Sequence, residues 1–195
     1  MFTGLIRTQG TLRTIDTRGD TVMTIAPAVM FPLSIGASVA CHGMCLTVTS
    51  FTDSDFTVCL SAETIACTNA GAWKVGSILN LEPALAVGDA MGGHFVSGHV
   101  DGLARVTRRE ASGDATLWEF EVPPALARFI APKGSVTLDG VSLTVNEVTG
   151  ARFTVMIIPH TAAVTGFGTL AVGDTVNLEI DMLARYVARL MESAA

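Results

Sequence analysis

One stretch of this chain is written twice, and the duplication decides most of what the chain can fold into. Residues 134–146 read Gly134-Ser-Val-Thr-Leu-Asp-Gly-Val-Ser-Leu-Thr-Val-Asn146. At an offset of 97, from Gly43 to Gly140, residues 37–49 read Ala37-Ser-Val-Ala-Cys-His-Gly-Met-Cys-Leu-Thr-Val-Thr49. The match continues without a gap from 56–82 onto 153–179. Phe56-Thr-Val58 pairs with Phe153-Thr-Val155, Thr64 and Thr68 with Thr161 and Thr165, and Asn80-Leu-Glu82 with Asn177-Leu-Glu179. Pro27 matches Pro124, and Phe2-Thr-Gly-Leu-Ile6 resembles Val96-Ser-Gly-His-Val100 at an offset of 94. A repeat on this scale means one structural module used twice, each copy about 90 to 95 residues long and large enough for a modest core. The expected division is residues 1–90, residues 91–180 and a tail at 181–195.

Within each copy, short apolar runs alternate with period two and are bounded by Gly, Asp and Thr. Thr21-Val-Met-Thr-Ile25, Ser38-Val-Ala-Cys41, Cys45-Leu-Thr-Val-Thr49, Phe56-Thr-Val-Cys-Leu60 and Ser77-Ile-Leu-Asn-Leu81 read as antiparallel strands. His42-Gly43 and Asp139-Gly140 sit between strand-like runs, where Gly takes positive φ without steric cost and closes a hairpin. Many short strands in a small module predict an all-β fold, with each copy closed into a barrel that leaves few edges exposed. After Glu179 the pattern changes. Asp181 can cap a helix, and Met182, Leu183, Tyr186, Val187, Leu190 and Met191 then fall on one face. No counterpart follows Glu82. This lone apolar stripe must pack either on the chain's own barrels or on another subunit, and the second is the preferred reading.

Several function classes are disfavoured. The net charge of −6 gives no footprint for nucleic acid or an anionic membrane surface. Residues 21–52 lack Asp, Glu, Lys and Arg, yet Pro27, Pro32, Gly36 and Gly43 interrupt them, so no membrane span is expected. The opening residues carry no basic region followed by an apolar one, so no secretory signal is expected. Cys41, Cys45, Cys59 and Cys67 all lie in the first copy, whose module the second repeats with Leu138, Ser142, Met156 and Val164. Reduced thiols in the cytoplasm fit that better than structural disulfides. A metal site from Cys41, Cys45, His94 and His99 lacks any C-x-x-C pair. His94 and His99, five apart on an extended strand, face opposite sides. Phosphate-cradling loops and G-x-S-x-G are absent.

The informative positions are those where the copies diverge in polarity: Leu5/His99, His42/Asp139, Cys45/Ser142, Ser61/Ile158 and Glu63/His160. Identical barrels would bind one ligand twice in the same way. Barrels that differ here suggest two bound molecules in different chemical roles. The bland readings are a packed small polar side chain at 45 and 142 and a loop histidine at 160.

Six segments carry a resemblance. Met1-Phe-Thr-Gly4, Gly43-Met-Cys-Leu-Thr-Val48, Gly92-Gly-His-Phe-Val-Ser-Gly-His-Val-Asp-Gly102, Lys133 through Asn146, Ile158-Pro-His-Thr161 and Val176-Asn-Leu-Glu179 together resemble riboflavin synthase of the alpha-chain type. The resemblance implies two six-stranded Greek-key barrels and a C-terminal helix that drives a homotrimer. It implies a transferase that takes two molecules of 6,7-dimethyl-8-ribityllumazine. One gives four carbons to the other, yielding riboflavin and 5-amino-6-(D-ribitylamino)uracil. It implies no cofactor and no metal, an active site between barrels of neighbouring subunits, and leaves room for association with lumazine synthase. It assigns Gly4, Leu5, Ile6, Cys45, Leu46, Thr47, Cys59, Leu60, Ser61, Ala62, Glu63 and Thr64 to a first pocket. It assigns Gly98, His99, Val100, Lys133, Ser142, Leu143, Thr144, Met156, Ile157, Ile158, Pro159, His160 and Thr161 to a second. The C7 methyl of a lumazine is acidic, and His99 is the expected base, with Ser142 and Thr144 orienting. Cys45 is the expected nucleophile toward the other lumazine. The family usually carries Asn where this chain has His42, which reads as a turn substitution. A non-catalytic lumazine- or flavin-binding relative is the alternative; retention of His99, Ser142, Thr144 and Lys133 favours the enzyme.

Overall fold

The structure is a computed structural model and describes residues 1–193. Twelve strands form two closed antiparallel barrels. The first contains β1 (Thr8–Asp16), β2 (Thr21–Pro27), β3 (Ser38–Cys41), β4 (Met44–Phe51), β5 (Phe56–Leu60) and β6 (Ile78–Pro83) in the order β1-β2-β5-β4-β3-β6. The second uses β7 (Gly102–Ser112), β8 (Ala115–Glu121), β9 (Ser135–Leu138), β10 (Val141–Thr149), β11 (Arg152–Ile157) and β12 (Thr175–Ile180) in the same cyclic order. In both, the second strand pairs with the fifth across the closed sheet, a Greek-key order.

Period-two patterning sets which side chains fill each barrel. Along β5, Phe56, Val58 and Leu60 are buried, while Thr57 and Cys59 point outward. The second barrel is filled by Trp118, Phe120, Phe153, Leu138 and Leu178 at the corresponding inward positions. Irregularities in register are duplicated too: between Leu12 and Thr14 in β1, and between Val106 and Arg108 in β7. Such an extra residue bends the strand and helps the small sheet close.

The hairpins β3–β4 and β9–β10 turn on two residues of positive φ, 53° and 88° at His42 and Gly43, 47° and 83° at Asp139 and Gly140. That is the type I′ geometry suited to twisted strands. The two turns meet back to back. A Cβ on Gly43 would lie 2.7 Å from the Gly140 nitrogen, so this contact admits no side chain. Around it, Asn80 Nδ2 donates to the Asp139 carbonyl and Asn177 Nδ2 to the His42 carbonyl, both at 2.9 Å. His42 Nδ1 accepts from the Asn80 amide (3.1 Å), which leaves Nε2 to donate to Asp139 Oδ2 (3.1 Å). His42 is therefore more than a turn substitution: it bonds the other barrel.

Four α-helices and two 3-10 turns, Asn69–Ala72 and Gly166–Gly168, complete the described residues. α1 (Ala62–Cys67), α2 (Pro124–Ala127) and α3 (Pro159–Val164) join strands, and α4 (Met182–Ser193) closes the described chain. Asp181 accepts the Leu183 amide at the start of α4 (2.9 Å), the capping read from sequence. Ala194 and Ala195, the end of the expected tail, lie outside the described residues.

Asp139 also accepts the Asn177 amide (2.7 Å) and Asn69 Nδ2 (3.4 Å). Asp139→Ala strands these buried donors, so urea titration should record a loss of about 3 kcal/mol. His42→Asn keeps a polar group and tolerates the turn, and should cost no more than about 1 kcal/mol.

Candidate functional site

The segments that lead each module reach across to the other barrel while staying tied to the last strand of their own. Residues 2–6 lie on the β9–β10 hairpin, and residues 96–100 lie on the β3–β4 hairpin. Ser142 N–H donates to the Gly4 carbonyl (2.9 Å), and Cys45 N–H donates to the Gly98 carbonyl (2.8 Å). Phe2 and Val96 bridge the two segments where they cross, both buried. Gly4 and Gly98 share a φ of 77°. A Cβ on either would fall within 2.5 to 2.7 Å of the side-chain Cβ of Ser142 or Cys45, so glycine is demanded twice by backbone and by space.

This exchange departs from the grouping that the repeat alone suggests. Gly98, His99 and Val100 sit beside Cys45. Gly4 holds Ser142 and Ile6 packs on the second barrel's core, while Leu5 turns to the first barrel. The offset of 94 aligns the two leading segments, from Gly4 to Gly98, but does not say which barrel each one meets.

On the first barrel, Cys45, Glu63, Thr64, Cys67, His99 and Val100 line a cavity of about 240 Å³. Thr64 and Glu63 are brought there by α1. Its N-cap is Ser61, whose Oγ accepts the Thr64 amide (3.1 Å). Ala62 lies in the first turn of α1, while Thr47 and Cys59 sit on outward-facing strand positions. Leu46 and Leu60 are core residues at 5% and 1% exposure, so their side chains are unavailable to a ligand. Leu5 instead lines an open groove of about 480 Å³ on the first barrel's outer face with Arg7, Met30, Phe31 and Asp89.

On the second barrel, Ser142 Oγ lies 2.7 Å from His94 Nδ1, and His94 Nε2 lies 3.1 Å from Thr137 Oγ1. With the ring proton on Nε2, Nδ1 accepts the serine proton while Nε2 donates to Thr137; the opposite tautomer reverses both bonds. The imidazole bonded to Ser142 is thus that of His94, whereas His99 lies beside Cys45. The hairpin register puts Thr137 directly opposite Ser142, as Ala40 is opposite Cys45. Counting back from the Asp139-Gly140 turn would have found Thr137. His94 is visible in Gly92-Gly93-His94, but residues 92–95 form no strand, so the spacing that puts His94 and His99 on opposite sides of one does not apply. Burial pushes the His94 imidazole below its ordinary 6.5, with Asp181 pulling weakly back.

Of the remaining residues, Thr144 is exposed further along β10, and Leu143 packs half-buried on the core. Ile157 is core, Met156 half-buried, and Ile158 precedes Pro159, which opens α3 with His160 and Thr161. Lys133 is exposed with φ 67°, at the position where the first copy has Gly36 with φ 85°.

Two buried carboxylates fasten the exchanged segments. Glu82 accepts from Thr3 and Gly4, and Glu179 from Ser97 and Gly98. Burial pushes both carboxyls up, and these hydrogen bonds draw them back only in part. Burial likewise pushes the Cys41 thiol up; that side chain is fully enclosed, apart from the ligand-facing positions.

Comparison with known proteins places this geometry. The lumazine binding domain family matches residues 3–84 and again 97–181. Riboflavin synthase of Brucella abortus is 43% identical over 199 residues, covering 98% of each chain. That of Bacillus amyloliquefaciens is 42% identical over 193 residues, 98% of this chain and 90% of the relative. That of Mycobacterium tuberculosis is 40% identical over 200 residues and the full length of both. Crystal structures of LumP complexed with riboflavin and with 6,7-dimethyl-8-(1'-D-ribityl) lumazine superimpose with TM-scores of 0.82 and 0.80. Each covers 92% of this chain and 99% of LumP, at 23% and 22% identity, and bears on the fold alone. With both copies of the repeat matched and full-length relatives at 40% identity or above, this chain belongs to the riboflavin synthase family.

Proposed function

We propose that this chain is a riboflavin synthase, converting two molecules of 6,7-dimethyl-8-ribityllumazine into riboflavin and 5-amino-6-(D-ribitylamino)uracil by transfer of four carbons. The observation that carries the reading is chemical divergence on a duplicated scaffold. One hairpin presents Cys45 beside His99 and Glu63; the other presents Ser142 bonded to His94, with Thr137 behind it. One barrel thus offers a thiol, the other a hydroxyl already coupled to an imidazole.

In this reading each barrel binds one lumazine. His94 and Ser142 move the proton of the acidic C7 methyl, and Cys45 stands at the other ring with His99. Thr144, His160 and Lys133 contribute polar contacts. Such proton transfer supplies about 10²–10⁴-fold. Stacking the two rings in register can supply more, with effective molarities of about 10⁵ M or above. Leu46, Leu60 and Ile157 shape the pockets through backbone alone.

The site is completed by another copy of the chain. A cavity of 240 Å³ falls below the range of about 300–1,000 Å³ usual for small-molecule pockets, so a further surface is needed to enclose the ring. The apolar stripe of α4 stands open, with Leu183, Tyr186, Val187, Leu190 and Met191 each more than half exposed. An apolar face of this kind marks an interface, and a homotrimer in the cytoplasm fits it. Removing residues 181–195 should yield monomers by sedimentation and depress turnover; a trimer that survives the deletion refutes this role for α4.

Incubation with 6,7-dimethyl-8-ribityllumazine should produce riboflavin absorbance; binding without riboflavin formation would instead favour the non-catalytic reading. His94→Gln should slow turnover by about 10²-fold. A lowered histidine pKa keeps the accepting, neutral imidazole to lower pH, so the acid limb of wild-type kcat should lie below 6.5 and disappear in this variant. Lys133→Gly relieves a left-handed backbone worth about 1 kcal/mol, so Tm should rise while kcat/KM falls.

A further inference from the structure

We infer that Glu82 and Glu179 are positioning residues, each setting the geometry of the pocket in the opposite barrel. Glu82 sits on β6 of the first barrel. Its Oε1 accepts from the Thr3 amide and the Thr3 hydroxyl, both at 2.7 Å, and its Oε2 from the Gly4 amide at 3.0 Å. Gly4 then holds Ser142 of the second barrel through its carbonyl. Glu179 occupies the same place on β12. Its Oε1 accepts from the Ser97 amide (2.7 Å) and hydroxyl (2.6 Å), and its Oε2 from the Gly98 amide (2.8 Å). Gly98 holds Cys45 of the first barrel, and the next residue, His99, lines the cavity with it.

Both carboxylates are buried, at 5% and 3% exposure, and among the described residues neither forms an ion pair. A buried carboxylate without a cation is costly unless hydrogen bonds satisfy it. Here three inbound donors do so, and all three belong to the leading segment of the glutamate's own module, which reaches across to the other barrel. The residue type follows from that donor set. An amide in the same place offers one acceptor oxygen and turns its NH₂ toward an inbound N–H. A carboxylate alone accepts on both sides. The connection runs from the carboxylate through a glycine with φ 77° to the amide of the reacting residue, with no freely rotating side chain between.

The inference rests on the reading of these pockets as lumazine sites, and two measurements separate the two. Amide hydrogen exchange is followed at Cys45 and Ser142 in the full chain. Glu179→Gln should speed exchange at Cys45 about tenfold or more and leave Ser142 unchanged; Glu82→Gln should do the reverse. Titration with 6,7-dimethyl-8-ribityllumazine should lose affinity about tenfold at one class of site in each variant, a different class in each. Acceleration at both amides alike, or at the amide in the glutamate's own barrel, overturns the inference. So does crossed exchange with lumazine affinity unaltered. If the unsubstituted chain binds no lumazine, the proposed function fails instead, and the exchange pattern still decides the positioning role. Ser97→Ala and Thr3→Ala, which remove one donor each, carry the same crossed expectation in milder form should either glutamine variant not fold.

Discussion

The contact on which the rest depends is the crossing of two hairpin turns, Gly43 against Gly140. No side chain fits between them, so both positions hold glycine, and both turns take positive φ. Around that point the polar groups are reciprocal. Each barrel's buried asparagine, Asn80 or Asn177, donates to the other's turn carbonyl. One pair breaks the symmetry. His42 and Asp139 are the same position in the two copies, and they touch each other across the pseudo-twofold axis. Two carboxylates there would repel, and two imidazoles, each accepting an asparagine amide on Nδ1, would face each other with two Nε2–H donors and no acceptor. Divergence into a histidine and an aspartate gives that contact a donor and an acceptor, which two copies within one chain can do because each varies independently.

Beside that crossing, each leading segment spans the two barrels, tied to its own by a buried glutamate and to the other by a glycine carbonyl. Phe2 and Val96 are buried where they pass, with Ala40 beside them, a small apolar cluster separate from either barrel core. Each pocket is consequently chimeric. A barrel contributes its hairpin and its short helix, and the partner module contributes the strand-like segment beside them. Neither pocket can be complete unless both modules are folded and docked, which ties the integrity of the site to the seam.

Much of this is legible in the sequence, and the parts that are not share a cause. The strands Ser38–Cys41 and Phe56–Leu60 can be read from period two, the turns from His42-Gly43 and Asp139-Gly140, and the cap of α4 from Asp181, because each is decided within a few residues. The helices α1 and α3 escape that reading. They are six residues long, and tertiary context rather than a 3.6-residue pattern sustains them. The exchange of leading segments escapes too, since self-similarity equates Gly4 with Gly98 whichever barrel each one meets. His94 escapes because its stretch is irregular and its bond to Ser142, 48 residues away, is set by tertiary contact. The identical Asn80-Leu-Glu82 and Asn177-Leu-Glu179 did carry a usable signal. Buried polar residues repeated in a strand are costly, so both copies keeping them points to a shared set of donors.

The differences between the copies also have a direction. Where the first barrel has Ala40 opposite Cys45, the second has Thr137 opposite Ser142, and His94 lies between those two hydroxyls. Where the first relaxes its backbone with Gly36, the second keeps Lys133 in the left-handed region. Neither change improves packing: one buries polar atoms, the other strains a loop. Costs accepted at equivalent positions of only one copy are difficult to assign to folding, because the other copy folds without them. They concentrate in the second barrel, on the hairpin and the loop beside it. The physical asymmetry of the molecule is therefore lopsided, with a sparsely modified barrel carrying the thiol and a polar-enriched barrel carrying the hydroxyl and its imidazole.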